Sequence, residues 1–158
     1  MLVRADPGLI AELAALIDDP DWLVSLRALD LLEKLAHEHP EWIEPHKRLF
    51  IGPAADSDQW EIRLQIVRAL PLLDWSAAGR RRAVEILLRD VAHPQKFVRA
   101  WALDSLARFA ESDKRLRPTV RRYLKDFEKS GSPSLIARAR RIRERAEKMF
   151  SRRSLRSE

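Results

Sequence analysis

The 158-residue sequence contains no cysteine and no asparagine, and it has only four glycines and one tyrosine. Without cysteine the chain forms no disulfide and offers no thiolate for a zinc site, an iron–sulfur cluster or a thiol nucleophile. The few glycines form no Gly-rich loop that would hold a nucleotide phosphate. Apolar runs are short, and the first seven residues lack the apolar core of a signal peptide. We therefore expect a soluble, cytoplasmic protein with no membrane contact.

Charge is distributed unevenly along the chain. Residues 1–79 carry 7 Lys and Arg against 14 Asp and Glu, whereas residues 80–158 carry 23 against 10, and the formal net charge is +6. Clustered cations attract and retain anions, so the basic half favours phosphate or an acidic protein surface as its partner. The acidic half argues against a nucleic-acid footprint over the whole chain. A solvated helix surface of biased composition would give the same counts.

The sequence predicts helices throughout and no strands. Apolar residues recur every three or four positions, and no alternating pattern is present. Capping residues followed by proline mark several breaks, including Asp6-Pro7, Asp19-Pro20 and His93-Pro94. We predict eight helices, over residues 7–18, 20–38, 44–54, 58–73, 76–91, 94–111, 113–129 and 133–150.

Every second predicted helix carries a similar pattern. Val24, Ile62 and Val98 occupy matching positions 38 and 36 residues apart, and a weaker fourth copy has Leu135 a further 37 residues on. A period of this length that spans two helices is typical of a stacked helical solenoid. In such a fold each helix pair buries its apolar face against its neighbours.

The repeated pattern resembles that of HEAT repeat proteins. Ile62-Arg63 and Val98-Arg99 each place arginine after an apolar residue, with small apolar residues and leucine following. The first repeat has Ser25 at the basic position, and the fourth has Ile136 there and Arg140 at an apolar site, which suits a polar terminal cap. The resemblance implies an all-α fold, a right-handed α-solenoid of about four HEAT-like helix pairs over residues 1–150. Its second helices would be 20–38, 58–73, 94–111 and 133–150.

The last eight residues, 151–158, show no apolar periodicity and contain three arginines. We predict that this segment is a disordered basic tail. One role for such a tail is that of an electrostatic arm.

Aromatic residues fall into two groups. Trp22, Trp60 and Phe97 recur with the repeat period, so we predict that each packs into the start of a second helix. Trp101 differs because the solenoid does not require an aromatic at its position. It either packs against an adjacent repeat or lies in the groove as a partner contact. The matching residues in the other repeats are polar: Arg27, Gln65 and Arg138.

The groove of the predicted solenoid supplies the candidate binding residues. Helical geometry places Trp101, Asp104 and Arg108 on one face, beside the core stripe. Second helices usually line the concave side of stacked pairs, so the equivalent positions of other repeats would face the same groove. Arginine beside an aromatic ring suits stacking on a base or anchoring a peptide side chain. The candidate partner-binding residues are Arg68, Arg99, Trp101, Asp104, Arg108, Arg138, Arg141 and Arg145.

Basic clusters also occur outside this groove. Arg80, Arg81 and Arg82 lie at the start of a predicted helix, where cations oppose the helix dipole, and this hints at an anion contact. A second cluster covers residues 114–122.

The sequence points to no metal, cofactor or catalytic centre. His37 and His39 are two residues apart, which directs them to different sides of a helix, unlike the four-residue spacing of paired metal ligands. HEAT-like bacterial DNA glycosylases hold alkylated bases with Trp, Asp and Arg in a basic concave groove. Trp101, Asp104 and Arg141 are similar in type, but they do not match that family's motifs residue by residue, so no catalytic role is assigned.

These observations favour a non-enzymatic scaffold that binds an acidic or extended protein partner, with Trp101 as the anchor. The alternative is sequence-independent nucleic-acid binding by the same basic half, with a distant relation to the glycosylases. Opposite charges on the two halves also allow weak head-to-tail association of a protein that is otherwise monomeric.

Overall fold

The computed structural model describes residues 6–155, with side chains described as far as Arg152. This part of the chain contains α-helices and short 3₁₀ segments and no strand, so the prediction of an all-α protein is confirmed. The eight α-helices of the described residues are α1 (Pro7–Ala15), α2 (Trp22–Glu38), α3 (Pro40–Ile43), α4 (Trp60–Ala69), α5 (Ala77–Asp90), α6 (Lys96–Ser112), α7 (Arg117–Glu128) and α8 (Pro133–Leu155).

Three helices begin two residues later than the sequence predicted. The predicted starts were Pro20, Asp58 and Pro94, whereas α2, α4 and α6 begin at Trp22, Trp60 and Lys96. The helices start later because the N-caps are the residues after the predicted starts, namely Asp21, Gln59 and Gln95. Two of these caps accept a backbone hydrogen bond: Asp21 from Leu23 N at 3.0 Å and Gln95 from Phe97 N at 3.5 Å.

The segment after α2 departs from the prediction of a single helix over residues 44–54. The chain forms the single turn α3, a 3₁₀ segment over Glu44–Ile51 and a second one over Pro53–Asp56. Proline lacks the backbone N–H and restricts the residue before it, so Pro45 and Pro53 prevent one continuous α-helix. Pro71 has a similar effect on α4, which ends at Ala69 and not at residue 73.

The chain divides into two compact units, Met1–Ile86 and Leu87–Glu158, and the boundary falls inside α5. In the first unit α2 packs directly against α4 and also against α3. The shared core contains Leu29, Leu32 and Ile66, all fully buried. Ser25 is buried as well, and its hydroxyl donates to the carbonyl oxygen of Ile17.

In the second unit α6, α7 and α8 all pack against one another. Residues on most sides of α6 are buried, which is typical of a helix covered by several neighbours. Arg121 of α7 forms two hydrogen bonds with Glu147 of α8, at 2.9 and 3.2 Å. These bonds lower the pKa of the Glu147 carboxyl. The ion pair therefore stabilises the unit above the ordinary pKa of glutamate, and this contribution is lost as the pH falls through the lowered value.

The final helix is longer than expected. It continues to Leu155, five residues beyond the predicted end at residue 150 and into the segment predicted to be a disordered tail, while residues 156–158 lie outside the described part of the chain. No proline or glycine follows Pro133, and the segment is rich in arginine, which favours helix. Within residues 6–155 no helix is both long enough and apolar enough to cross a membrane.

The turn between α7 and α8 depends on a glycine. Gly131 has φ of 75°, in the left-handed region, and no atom lies within 4 Å of the position that an added Cβ would take. Gly131→Ala is therefore expected to destabilise the protein by about 1 kcal/mol through backbone strain alone, measured by urea denaturation. Gly52→Ala is the control, since Gly52 has φ of −88°. A Cβ added there would be 3.6 Å from its nearest neighbour, the carbonyl oxygen of Arg48. Equal losses in the two variants would contradict the strain argument.

Candidate functional site

A buried carboxylate lies at the centre of a basic cluster in the second unit. Asp104 of α6 has a side chain only 7% exposed, and α6 and α8 pack against each other around it. An isolated buried carboxylate is strongly unfavourable, so it requires charged partners. Its partners are three arginines, one from α6 and two from α8: Arg108, Arg138 and Arg145.

The three arginines contact Asp104 at different distances. Arg145 Nη2 donates to Asp104 Oδ1 at 2.8 Å and to the Asp104 carbonyl oxygen at 3.3 Å. Arg108 Nε donates to the same Oδ1 at 3.3 Å. Arg138 Nη1 is 3.6 Å from Oδ2, which makes an ion pair without a hydrogen bond. Arg145 is therefore the partner most firmly fixed, and it joins α8 to α6 through both the side chain and the backbone of Asp104.

Trp101 lies in the same cluster. It is half-buried, and the guanidinium carbon of Arg138 is 4.5 Å from the centroid of its ring. This distance is that of a cation–π contact. Trp101 was predicted either to pack inside the protein or to contact a partner. In the structure its ring contacts Arg138 of α8 and still has accessible surface, so it both packs and is open to a partner.

Arg141 completes the basic surface of α8. It is exposed, and the spacing of residues 138, 141 and 145 puts all three side chains on one side of the helix. Arg99 of α6 is half-buried, and its Nε atom is buried without a hydrogen-bond partner. The structure places Arg99 in the same unit but not among the partners of Asp104 described above.

The charges of the cluster do not cancel. Asp104 supplies one negative charge against the three arginines that contact it, and Arg141 adds a further cation beside them. The side chains of Arg108, Arg138 and Arg145 are 48%, 30% and 32% exposed, so solvent and ligands reach them. We name these five residues, together with Trp101, the α6–α8 cluster: Trp101, Asp104, Arg108, Arg138, Arg141 and Arg145.

Arg68 belongs to the first unit and makes a separate contact. Its Nη2 atom is 3.3 Å from Oε1 of Glu33, a buried residue of α2. The same carboxylate oxygen is 2.7 Å from Nε2 of His37. The structure therefore places Arg68 in an ion pair that joins α4 to α2 within the first unit.

Two of the predicted basic clusters contain arginines that stabilise the fold. Arg82 Nη2 contacts both carboxylate oxygens of Asp56, at 3.1 and 3.0 Å. Arg117 is buried and donates to the carbonyl oxygens of Ala110 and Glu111 at the end of α6. Sequence position alone did not separate these arginines from exposed ones, because the difference lies in their tertiary partners.

The predicted packing of the recurring aromatic residues is only partly correct. Trp60 is half-buried, but Trp22 is 37% exposed and Phe97 is 59% exposed. Each is at or next to the first residue of its helix, where the helix has made less than one turn and the neighbouring elements cover less of its surface. The sequence already placed Trp22 and Phe97 near predicted helix starts, and this position could have predicted that they are exposed.

The histidines take part in local contacts. His37 pairs with Glu33, and His39 pairs with Glu41 at 2.9 Å while its ring stacks on Trp42 with centroids 3.9 Å apart. Within the described residues no group of three His, Cys, Asp or Glu side chains is placed to hold a metal ion.

Comparison with known proteins gives the chain no relative. No protein-family model, no curated protein and no solved structure matches it.

Proposed function

We propose that this protein is a HEAT-like helical-repeat module that binds an acidic segment of a protein partner through the α6–α8 cluster. The observation that carries the proposal is the excess of positive charge beside a half-buried tryptophan. The right-handed four-repeat solenoid, a non-enzymatic role and a cytoplasmic location belong to the same proposal.

The internal contacts of the cluster favour carboxylates as its ligands. Asp104 orients Arg145 and Arg108, and Trp101 holds the guanidinium plane of Arg138 against its ring. Arginines whose orientation is fixed in advance lose less entropy when they bind, and their planar groups match a carboxylate with two parallel hydrogen bonds. Trp101 adds an apolar surface of the kind that anchors protein interfaces.

Nucleic-acid binding is the second candidate. It is favoured by further exposed cations at helical spacing, Arg122 and Lys125 of α7 and Lys129, the residue directly after this helix. Such a surface would contact phosphates without reading sequence. Asp104 is buried and paired with arginines, which gives this carboxylate a positioning role in either case, and we propose no catalytic function for it.

Fluorescence anisotropy with two labelled probes separates the candidates. One probe is a peptide that alternates glutamate with leucine, and the other is a short DNA duplex, each titrated at about 50 and 200 mM salt. We expect micromolar binding of the peptide that persists at the higher salt, because the contact includes apolar burial. Binding of the duplex alone, with a steep decrease in affinity as salt rises, would favour nucleic acid. No binding of either probe would contradict both.

Trp101→Ala tests the anchor role. We expect about a tenfold or greater loss of peptide affinity, since truncation of an aromatic anchor at an interface is typically worth 1–2 kcal/mol or more, while the helical circular dichroism is unchanged. Trp42→Ala is the matched control, because Trp42 is also half-buried but lies in the first unit. Unchanged peptide affinity of Trp101→Ala would exclude Trp101 as the anchor.

A further inference from the structure

An apolar cleft opens in the first unit beside the start of α2. Its floor consists of the buried residues Ile17, Ala54 and Ile62, and the exposed side chains of Pro20 and Trp22 form part of its rim. Its volume is about 460 Å³, within the range of about 300–1,000 Å³ found for ligand pockets. We call it the Trp22 cleft.

Acidic residues line the Trp22 cleft. Asp18 and Asp19 belong to its lining, and Asp18 is exposed to solvent. Asp21 is exposed next to Trp22, where it caps α2. None of the residues that line the cleft is basic. An apolar floor with an acidic rim is complementary to an aromatic side chain that has a lysine or arginine beside it.

The second unit carries such a pair of residues at the start of α6. Phe97 is 59% exposed, the highest value of any large apolar side chain in the described residues, and the preceding Lys96 is exposed as well. The side chain of Gln95 accepts a hydrogen bond from the backbone N–H of Phe97, which fixes the turn that presents the pair.

Lys96 and Phe97 are both exposed at the start of α6. A cation in the first turn of a helix opposes the helix dipole, so Lys96 is unfavourable for α6. A phenyl ring that is more than half exposed contributes little burial to the core. An aromatic and a cation kept together on the surface are what a partner with an acidic, apolar pocket would bind.

We propose that Lys96 and Phe97 of one copy of this chain dock in the Trp22 cleft of a second copy. The phenyl ring would lie on the floor of the cleft, and the ammonium group would pair with Asp18. This contact uses neither Trp101 nor the arginines of the α6–α8 cluster, so it does not depend on the proposed function.

The proposed contact has a consequence for assembly. It joins two different surfaces, so however many copies are added, one end of the assembly has an unoccupied cleft and the other end has a Lys96–Phe97 pair that is not docked. The opposite net charges of residues 1–79 and 80–158 would steer the approach. We therefore expect short head-to-tail chains that lengthen with protein concentration.

Sedimentation velocity over a range of concentrations tests the proposal. At about 50 mM salt the mass is expected to rise above the 18.4 kDa of one chain as concentration increases, and to return to that value at about 500 mM salt because charge attraction is screened. Phe97→Ser and Trp22→Ala should each weaken association at least tenfold. Leu88→Ser, which changes a leucine that is 38% exposed, is the control and should leave it unchanged.

A mixing experiment gives the sharper result. Trp22→Ala retains Phe97, and Phe97→Ser retains the cleft, so an equimolar mixture has one intact contact and should form dimers but nothing larger. Lys96→Glu should weaken association, and combining it with Asp18→Lys should restore it. Circular dichroism spectra confirm that each variant folds.

Three outcomes would overturn the proposal. The first is a mass of one chain at all concentrations and at low salt, and the second is association that survives both Trp22→Ala and Phe97→Ser. The third is a mixture of the two variants that remains monomeric. The double variant with Arg138→Glu and Arg141→Glu should still associate. If only this variant loses association, the contact between copies is formed by the α6–α8 cluster and not by the Trp22 cleft.

Discussion

Replacing Arg138 and Arg141 together by glutamate is expected to weaken binding of the acidic peptide by about 100-fold or more, since each lost close charge pair is worth roughly 1.5 kcal/mol or more at an interface. The two substitutions convert attraction into repulsion at the exposed part of the α6–α8 cluster. The effect should exceed that of Trp101→Ala, because the latter leaves all cations of the cluster in place.

A matched variant separates the site from the net charge of the molecule. Arg122→Glu with Lys125→Glu changes the formal charge by the same amount, and both residues are exposed on α7. If the cluster is the binding site, this control retains most of its affinity for the peptide. Equal losses in the two double variants would show that the peptide responds only to overall charge, and the site assignment would be wrong.

Substitution of Arg138 also removes a contact with Asp104, so folding has to be followed independently. Arg138→Gln with Arg141→Gln removes both charges and introduces no repulsion against the buried carboxylate. We expect an intermediate loss of peptide affinity in this variant, with a circular dichroism melt close to that of the unmodified protein because Arg145 and Arg108 still pair with Asp104.

Arg117→Ala is expected to destabilise the protein by about 3 kcal/mol, through the loss of charge-assisted hydrogen bonds and of packing. Arg117 is 7% exposed, and its Nε and Nη2 atoms donate to the carbonyl oxygens of Ala110 and Glu111 at 3.1 and 3.2 Å. Its guanidinium carbon is 4.3 Å from the centroid of the Phe150 ring. The side chain thus satisfies carbonyl oxygens in the last turn of α6 and also contacts Phe150 of α8.

Urea denaturation measures this loss, and two further variants identify its cause. Arg115→Ala removes a nearby arginine whose side chain is 91% exposed, and it should leave the transition unchanged. Arg117→Lys keeps the positive charge without the planar fork, so its stability should lie between those of Arg117→Ala and the unmodified protein. A transition of Arg117→Ala that coincides with that of Arg115→Ala would contradict the structural role.

Much of the fold follows from local sequence. The pairs Asp6-Pro7, Asp19-Pro20 and His93-Pro94 predicted the starts of α1, α2 and α6 to within two residues. The prediction was wrong over residues 44–54 because hydrophobic spacing does not distinguish an α-helix from 3₁₀ turns that prolines interrupt. The extension of α8 to Leu155 was missed because the sequence of residues 151–155 has no apolar periodicity to detect.

The candidate site was predictable in part. Helical spacing placed Trp101, Asp104 and Arg108 on one face of α6, and in the structure Arg108 and Asp104 do form a hydrogen bond. Spacing within one helix cannot show which residues of another helix they meet. The contacts of Arg138 and Arg145 with Asp104 depend on how α8 packs on α6, and the burial of Arg117 depends on the ends of the same helices.

The sequence by itself determined the all-α class, the approximate order of the helices, the absence of thiol chemistry and the separation of charge between the two halves. These properties depend on composition and on interactions between residues that lie within about two helical turns of each other in the sequence. Only the tertiary structure decided which arginines are buried, which of them pair with Asp104, and that Trp22 and Phe97 are exposed. Burial and ion pairing depend on residues distant in sequence that are brought together by packing, which local patterns do not encode.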